Sequence, residues 1–305
     1  MKVWITGSSG MVGGNLVEAF RASGHEVVVS RSSETDLRDY AVAVSFMRAA
    51  KPDLVVHAAG KVGGIAANVS DPYGFFVDNV LMGVNVVRAA AEAGVPRLLN
   101  LSSSCSYPCA LERPLREEDV FAGRLEPTNE GYAIAKAAVT RLCEFATRRF
   151  PSFIAKTLVP CNLYGRGDKF GEGVAHMIPA AIRKLHEAKM RGERTVTIWG
   201  DGTARREFMY AGDLAEIVEQ CARRFDEIPQ TMNVGVGTDL TVDEYYAAVA
   251  RTVGYDGEFE HDLSKPAGMR RKLLDVSVQR SLGLMPRRTL DEGLRETYEW
   301  YVATR

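Results

Sequence analysis

Along the first 160 residues, short apolar runs alternate with stretches whose apolar residues recur at helical spacing. Val3, Trp4 and Ile5 lie in the first run, over 2–6; Leu16, Val17 and Phe20 then follow at steps of one and three, which marks one buried helix face. The runs at 26–30, 54–57, 97–101 and 153–159 are short and largely apolar, as expected of strands covered on both sides. Helices are predicted over 40–50, 73–93 and 130–149, the second stopped by Gly94 and Pro96. Strands separated by helices need right-handed crossovers, so the pattern predicts an α/β fold built on a doubly wound parallel sheet. A ligand of such a sheet lies at the carboxyl ends of its strands. Past residue 160 the alternation fades, with a helix expected over 174–190, a strand over 195–199 and a helix over 213–225.

Composition narrows the function classes. With 46% hydrophobic and 25% charged residues the chain reads as globular, and 38 basic against 39 acidic side chains give no global pull on nucleic acid or membrane. Any anionic ligand must therefore be held by local charges. The first residues enter a strand-like run without a basic segment followed by an apolar one, so no signal peptide is expected, and no apolar run is read as a membrane span. Five cysteines, odd in number and without paired spacing, predict no metal site and a reduced, cytoplasmic protein.

Candidate chemistry sits at the predicted strand ends. Gly7-Ser8-Ser9-Gly10-Met11-Val12-Gly13 joins the first strand to the first helix. Glycines permit a tight turn and close approach, and helix-start amides face an anion, so this stretch predicts a phosphate cradle for a dinucleotide. Arg31 ends the second strand, where a carboxylate would select NAD and a guanidinium pairs with a 2′-phosphate; NADPH is the expected cofactor. Ala58 and Ala59 form a small-residue turn after the third strand, while His57 before them reads as a satisfied core histidine. Residues 61–68 are expected to form an apolar, glycine-rich loop beside the nicotinamide. Ser103, in the serine-rich turn after the fourth strand, can bond a substrate carbonyl. Tyr132 and Lys136, four apart on a helix, can share a face, where the ammonium would favour the phenolate. Lys265, Arg270, Arg271 and Lys272 concentrate charge near the carboxyl end, suited to an anionic substrate.

Taken with Lys61-Val62-Gly63-Gly64-Ile65, Ser103-Ser104-Cys105, Pro127-Thr128-Asn129-Glu130, Asn162-Leu163-Tyr164-Gly165, Ile178-Pro179-Ala180, Trp199-Gly200, Arg206-Glu207-Phe208 and Lys272-Leu273-Leu274-Asp275, these motifs resemble the extended short-chain dehydrogenase/reductases that act on nucleotide sugars. The resemblance covers most of the chain. It implies an NADP-binding Rossmann domain over 1–160, also receiving parts of 200–240, and a smaller substrate-binding α/β domain over 161–305. It further implies a GDP-sugar substrate, with GDP-4-keto-6-deoxy-D-mannose epimerised at C3 and C5 and then reduced at C4 to GDP-L-fucose. Under it Tyr132 donates a proton to the ketone, Lys136 holds the nicotinamide ribose, and Ser103 bonds the carbonyl. Cys105 and His176 exchange protons during epimerisation. Pro160, Asn162 and Leu163 join the cofactor set, and Arg183, Trp199 and Arg206 join Lys265 and Arg271 toward the substrate. A homodimer built on the helices over 73–93 and 130–149 is implied as well. Gly60, Ser106, Gly131 and Cys161 depart from the family pattern, as does Gly212 in Tyr210-Ala211-Gly212-Asp213, which leaves open a related GDP-deoxysugar or GDP-deoxyheptose epimerase or 4-reductase. A catalytically silent nucleotide-sugar-binding regulator is the reading from another class.

Overall fold

A computed structural model describes residues 1–265 and 269–305; Pro266, Ala267 and Gly268, inside the basic stretch noted above, lie outside the described residues. The first part runs β1 (Lys2–Thr6), α1 (Met11–Ala22), β2 (Glu26–Val29), α2 (Tyr40–Ala50), β3 (Leu54–His57), α3 (Ile65–Ser70), α4 (Pro72–Glu92), β4 (Arg97–Leu101), α5 (Glu130–Arg149) and β5 (Ile154–Pro160). There follow β6 (Asn162–Tyr164), α6 (Met177–Arg191), β7 (Thr195–Trp199), β8 (Arg205–Arg206), β9 (Phe208–Tyr210), α7 (Ala211–Arg223) and β10 (Thr231–Val234). The chain closes with β11 (Leu240–Thr241), α8 (Val242–Val253), β12 (Glu258–Asp262), β13 (Arg271–Lys272), α9 (Ser277–Ser281) and α10 (Leu290–Ala303).

Six parallel strands in the order β10-β5-β4-β3-β1-β2 form the central sheet, the doubly wound arrangement expected from the alternation. Side chains of successive strand residues point to opposite faces, which is why both faces carry a core. Val3, Ile5, Val56 and Leu99 pack with Leu16 and Phe20 of α1 and with Leu214, Ile217 and Val218 of α7. Trp4, Val55 and Leu98 pack the other way, against Met47 of α2, Val86 and Val87 of α4, and Val139 and Cys143 of α5. A separate core of Ile178, Ile182, Leu185, Ile198, Tyr245, Val249 and Leu294 holds α6, α8 and α10 around β7.

Three local differences from the sequence pattern have physical causes. The stretch over 61–68 is only half a loop, because α3 begins at Ile65 behind the extended N-cap Gly64. Helix α6 starts at Met177, three residues later than its periodicity suggests, with His176 as its extended N-cap. Helix α4, at 21 residues, is the one described helix long and apolar enough to cross a membrane by length and composition alone. Eight of its residues are buried, including Val86, Val87, Ala89 and Ala90, while Tyr73, Phe76 and Leu81 are exposed.

Candidate active site

The chain turns from β1 to opposite flanks of the sheet, to β2 on one side and β3 on the other, which opens a crevice at the carboxyl ends of β1 and β3. Gly7 stands there at φ +68°, and a Cβ on it would lie 2.7 Å from the Ala59 Cα. A Cβ on Gly13 would overlap the Gly7 carbonyl oxygen, whereas one on Gly10 would only touch it at 3.4 Å. Two of the three glycines are thus required by backbone approach. N-cap Gly10 has no side-chain cap, so the first-turn amides around Met11 and Val12 stay open to an anion. Thr6 secures the floor: its hydroxyl oxygen accepts the Ala58 and Ala59 N–H groups at 3.1 Å each and bonds His57 Nδ1 at 3.0 Å. Burial, then the Lys136 charge, push His57 down to about 3, which keeps it a neutral core residue.

Ser9 and Arg31 are exposed at the rim of the cradle. Among the described residues the Arg31 side chain makes no hydrogen bond or ion pair, and nearby Asp36 is taken by Arg38 at 2.8 Å. The cradle and a free guanidinium at the end of β2 fit a phosphorylated dinucleotide. Pro160 ends β5, and Asn162 donates from Nδ2 to the Glu207 carbonyl oxygen at 2.9 Å, tying β6 beside the same edge.

The carbonyl-binding residues come from β4 and α5. Ser103 caps a short turn over Ser104–Ser106, accepting the Cys105 N–H at 3.2 Å, and its hydroxyl also bonds the Tyr132 and Cys105 side chains. Tyr132 sits in the first turn of α5, which lies tightly on α4: a Cβ on Gly131 would be 2.5 Å from the Pro72 carbonyl oxygen, so glycine at this departure from the family pattern has a packing reason. Burial pushes the half-buried Tyr132 phenol above its ordinary value and the Cys105 charge adds to this, opposed by a hydrogen bond with Ser103. The Lys136 ammonium donates to the Leu101 carbonyl oxygen at 2.9 Å and lies 5.8 Å from the Tyr132 ring centroid. No hydrogen bond joins the Lys136 ammonium to the Tyr132 hydroxyl among the described residues, and burial lowers Lys136 itself to about 8.

Cys105 faces the same pocket. Its Sγ accepts from Lys272 Nζ at 3.2 Å and from Asn129 Nδ2 at 3.5 Å. Burial raises the thiol, but the Lys272 charge and hydrogen bonds from Ser103, Lys272 and Asn129 outweigh it, and the net shift is downward. His176 is carried in by the segment before α6, which abuts the glycine-rich loop: Gly64 N–H donates to the Val174 carbonyl oxygen at 3.4 Å. Burial lowers the His176 pKa, and the charges of Lys272 and Lys169 push the same way. One lysine thus acts on both predicted proton-exchange residues.

The predicted substrate residues divide by strand parity. β13 pairs in parallel with β8, with Lys272 opposite Arg206 and Arg271 opposite Arg205. Register partners share a face. Lys272 and Arg206 face the pocket side; burial lowers the Arg206 pKa while Glu126 opposes it. Arg271 and Arg205 are instead committed to buried Asp239 on the other face, so Arg271 is not brought to the site. Trp199, half exposed, lies between Lys184 Nζ at 5.5 Å and Lys265 Nζ at 5.7 Å from its ring centroid. Arg183 pairs with Glu187 at 3.3 Å, and its Nε is buried without a partner. Lys272, Asn129 and Lys184 stand at the site although sequence reasoning gave none of them an individual role. The cation cluster contained Lys272, but only the register separates it from Arg271.

Residues 3–235 match the model of the NAD dependent epimerase/dehydratase family. The chain is 48% identical over 301 residues to a GDP-L-fucose synthase of Azorhizobium caulinodans, covering 99% of this chain and 96% of that protein. It is 44% identical to a GDP-L-colitose synthase of Yersinia pseudotuberculosis, covering 99% and 98% of the two chains. Among solved structures it is similar to a GDP-mannoheptose C4 reductase from Campylobacter jejuni with NADP bound, at a TM-score of 0.89 and 31% identity over 99% of this chain and 98% of that one. The chain belongs to the NAD dependent epimerase/dehydratase family.

Proposed function

We infer that this chain is an epimerase-reductase that converts GDP-4-keto-6-deoxy-D-mannose to GDP-L-fucose, inverting C3 and C5 and then reducing the C4 ketone. The observation that carries this is the placement of two chemistries in one pocket: Cys105 stands two residues from Ser103 on a single turn, and its charge acts on the Tyr132 phenol. A ketone acidifies the hydrogens on both neighbouring carbons, so a residue that removes and one that returns a proton can invert them through an enolate. Cys105 and His176 are that pair. Ser103 and Tyr132 hold the ketone oxygen as charge develops on it, and Tyr132 then gives its proton to the C4 oxygen. Gly7, Met11, Val12, Gly13, Ala58, Ala59 and Arg31 hold NADPH, with Ser9, Gly10, Pro160, Asn162 and Leu163 along its rim. When bound, NADPH supplies hydride to C4. Lys136 orients the ribose, and the α6–β7–β8 side of the chain, through Arg183, Trp199, Lys265 and Arg206, holds the GDP moiety. The sheet-bearing part thus serves the cofactor and the part around α6 and α8 the sugar nucleotide. The five free thiols suit a cytoplasmic protein, and two copies pair through the exposed apolar faces of α4 and α5.

The test is incubation of the 4-keto sugar with protein in deuterated water, without and then with NADPH, followed by NMR. Deuterium at C3 and C5 and an L-fuco product are expected; no incorporation removes the epimerase claim. The 44% identity to a GDP-L-colitose synthase favours one second reading, a related GDP-deoxysugar as substrate. A panel of GDP-4-keto sugars ranked by kcat/KM separates the two.

A further inference from the structure

Helix α5 opens on Asn129, a residue type that ordinarily caps a helix by accepting a first-turn N–H with its side-chain oxygen. Here it makes no such cap. The side chain turns instead to the pocket, where Nδ2 donates to the Cys105 sulfur at 3.5 Å, and Oδ1 is buried with no partner among the described residues. The backbone around it is fixed: Asn129 N–H donates to the Glu126 carbonyl oxygen at 3.2 Å, and Gly131, two residues on, lies against the Pro72 carbonyl of α4. A buried acceptor without a partner costs stability, and so does the cap not made. Both losses are explained if the oxygen is kept for a ligand.

The ligand group follows by elimination, on the epimerase-reductase reading above. Oδ1 only accepts, so its partner must be a donor. Cys105 works on the carbons flanking the ketone, C3 and C5. The C4 oxygen is itself an acceptor, bonded by Ser103 and Tyr132. C5 carries a methyl group and the ring oxygen, neither of which donates. C3 carries a hydroxyl. The short turn Pro127–Asn129 also gives the direction of the sugar. Side chains three apart on such a turn eclipse, which sets Glu126, whose charge acts on Arg206, on the side of Asn129. Arg206 holds the GDP moiety in that reading, so the turn runs from the diphosphate end of the ligand to its C3 end. We propose that Asn129 is a specificity-determining residue, its Oδ1 accepting the C3 hydroxyl of the entering GDP-4-keto sugar and so selecting 3-hydroxy over 3-deoxy substrates. A 3-deoxy sugar leaves the oxygen buried and unpaired, which is the physical ground for rejecting it.

The test compares kcat/KM for GDP-4-keto-6-deoxy-D-mannose and GDP-4-keto-3,6-dideoxy-D-mannose on the full chain with saturating NADPH. The wild type should favour the 3-hydroxy sugar about 10- to 100-fold, the usual worth of one buried acceptor left unpaired. A ratio near one overturns the proposal before any variant is made. Asn129→Ser keeps a helix-capping residue but is too short to present its oxygen at the same place. It should bring the ratio to within about threefold of one, chiefly by slowing the 3-hydroxy sugar, and Asn129→Ala should do the same. Loss of the bond to Cys105 slows both sugars alike and cancels in the ratio, and NADPH binding followed by fluorescence shows that the variants are folded. A folded variant that keeps the wild-type ratio sinks the idea. If the wild type reduces neither sugar, the epimerase-reductase reading falls and the proposal with it; both sugars reduced at an unmoved ratio leaves that reading standing and rejects the role of Asn129 alone.

Discussion

At the residue scale, the site separates two jobs that the Tyr132 and Lys136 spacing alone would merge. Tyr132 is a protonated phenol, held so by burial, which suits a proton donor to the ketone oxygen. Tyr132→Phe should lower reduction about 10²- to 10⁴-fold, the usual worth of a placed general acid, while deuterium still enters at C3 and C5. Loss of exchange in that variant would show that the phenol also serves epimerisation. Lys136 makes a different prediction. Its ammonium, lowered to about 8 by burial, is present below that pH and is lost as pH rises through it, whereas the phenol keeps its proton across the whole range. For the free protein, kcat/KM for reduction should therefore fall above about pH 8, approaching tenfold per pH unit. A profile flat to pH 10 would mean that Lys136 does not act as a cation.

At the element scale, the cradle depends on backbone approach between the β1–α1 turn and the turn after β3. Gly13→Ala drives a methyl into the Gly7 carbonyl; overpacking of about 1–3 kcal/mol should weaken NADPH binding about 10- to 100-fold in a fluorescence titration. Gly14→Ala, one residue on, meets only the Ser8 oxygen at 3.8 Å and should leave binding intact while stabilising α1 by up to about 1 kcal/mol. Equal effects of the two would dismiss the close-approach argument. The same scale explains what was legible in sequence. Strands β1 and β3 to β5 and helices α2, α4 and α5 follow directly from periodicity, because each buries a full face, whereas the edge strand β2 was legible from its apolar run Val27-Val28-Val29 alone. The later elements α8 and α10 were not read, although each opens on a capping box, Thr241 with Glu244 and Thr289 with Glu292. Strands β8, β11 and β13 are two residues long, too short to carry a period. Their register nevertheless sorts Lys272 toward the pocket and Arg271 away from it, which composition and charge spacing cannot do.

At the scale of the whole molecule, α4 and α5 are apolar on more faces than one subunit covers. Their inner faces interlock, since a Cβ on Gly83 would overlap Val139. Their outer faces expose Tyr73, Phe76 and Leu81 on α4 and Ile134 and Phe145 on α5, with Tyr73 at 77% and Phe145 at 56% exposure. Side chains this large on two adjacent helices form a patch that isolated subunits rarely leave to water. In the two-fold pair proposed above the same patch would meet itself, and four helices would bury what two leave open. Tyr73→Glu together with Phe145→Glu places charge on both helices and should convert the proposed dimer to a monomer in sedimentation at micromolar concentration. Neither residue touches the cradle or the Cys105 pocket, so the monomer should retain NADPH binding. Its melting temperature should fall, and, unlike that of the wild type, it should no longer depend on protein concentration. A double variant that still sediments as a dimer would place the subunit contact elsewhere and leave this patch without its partner.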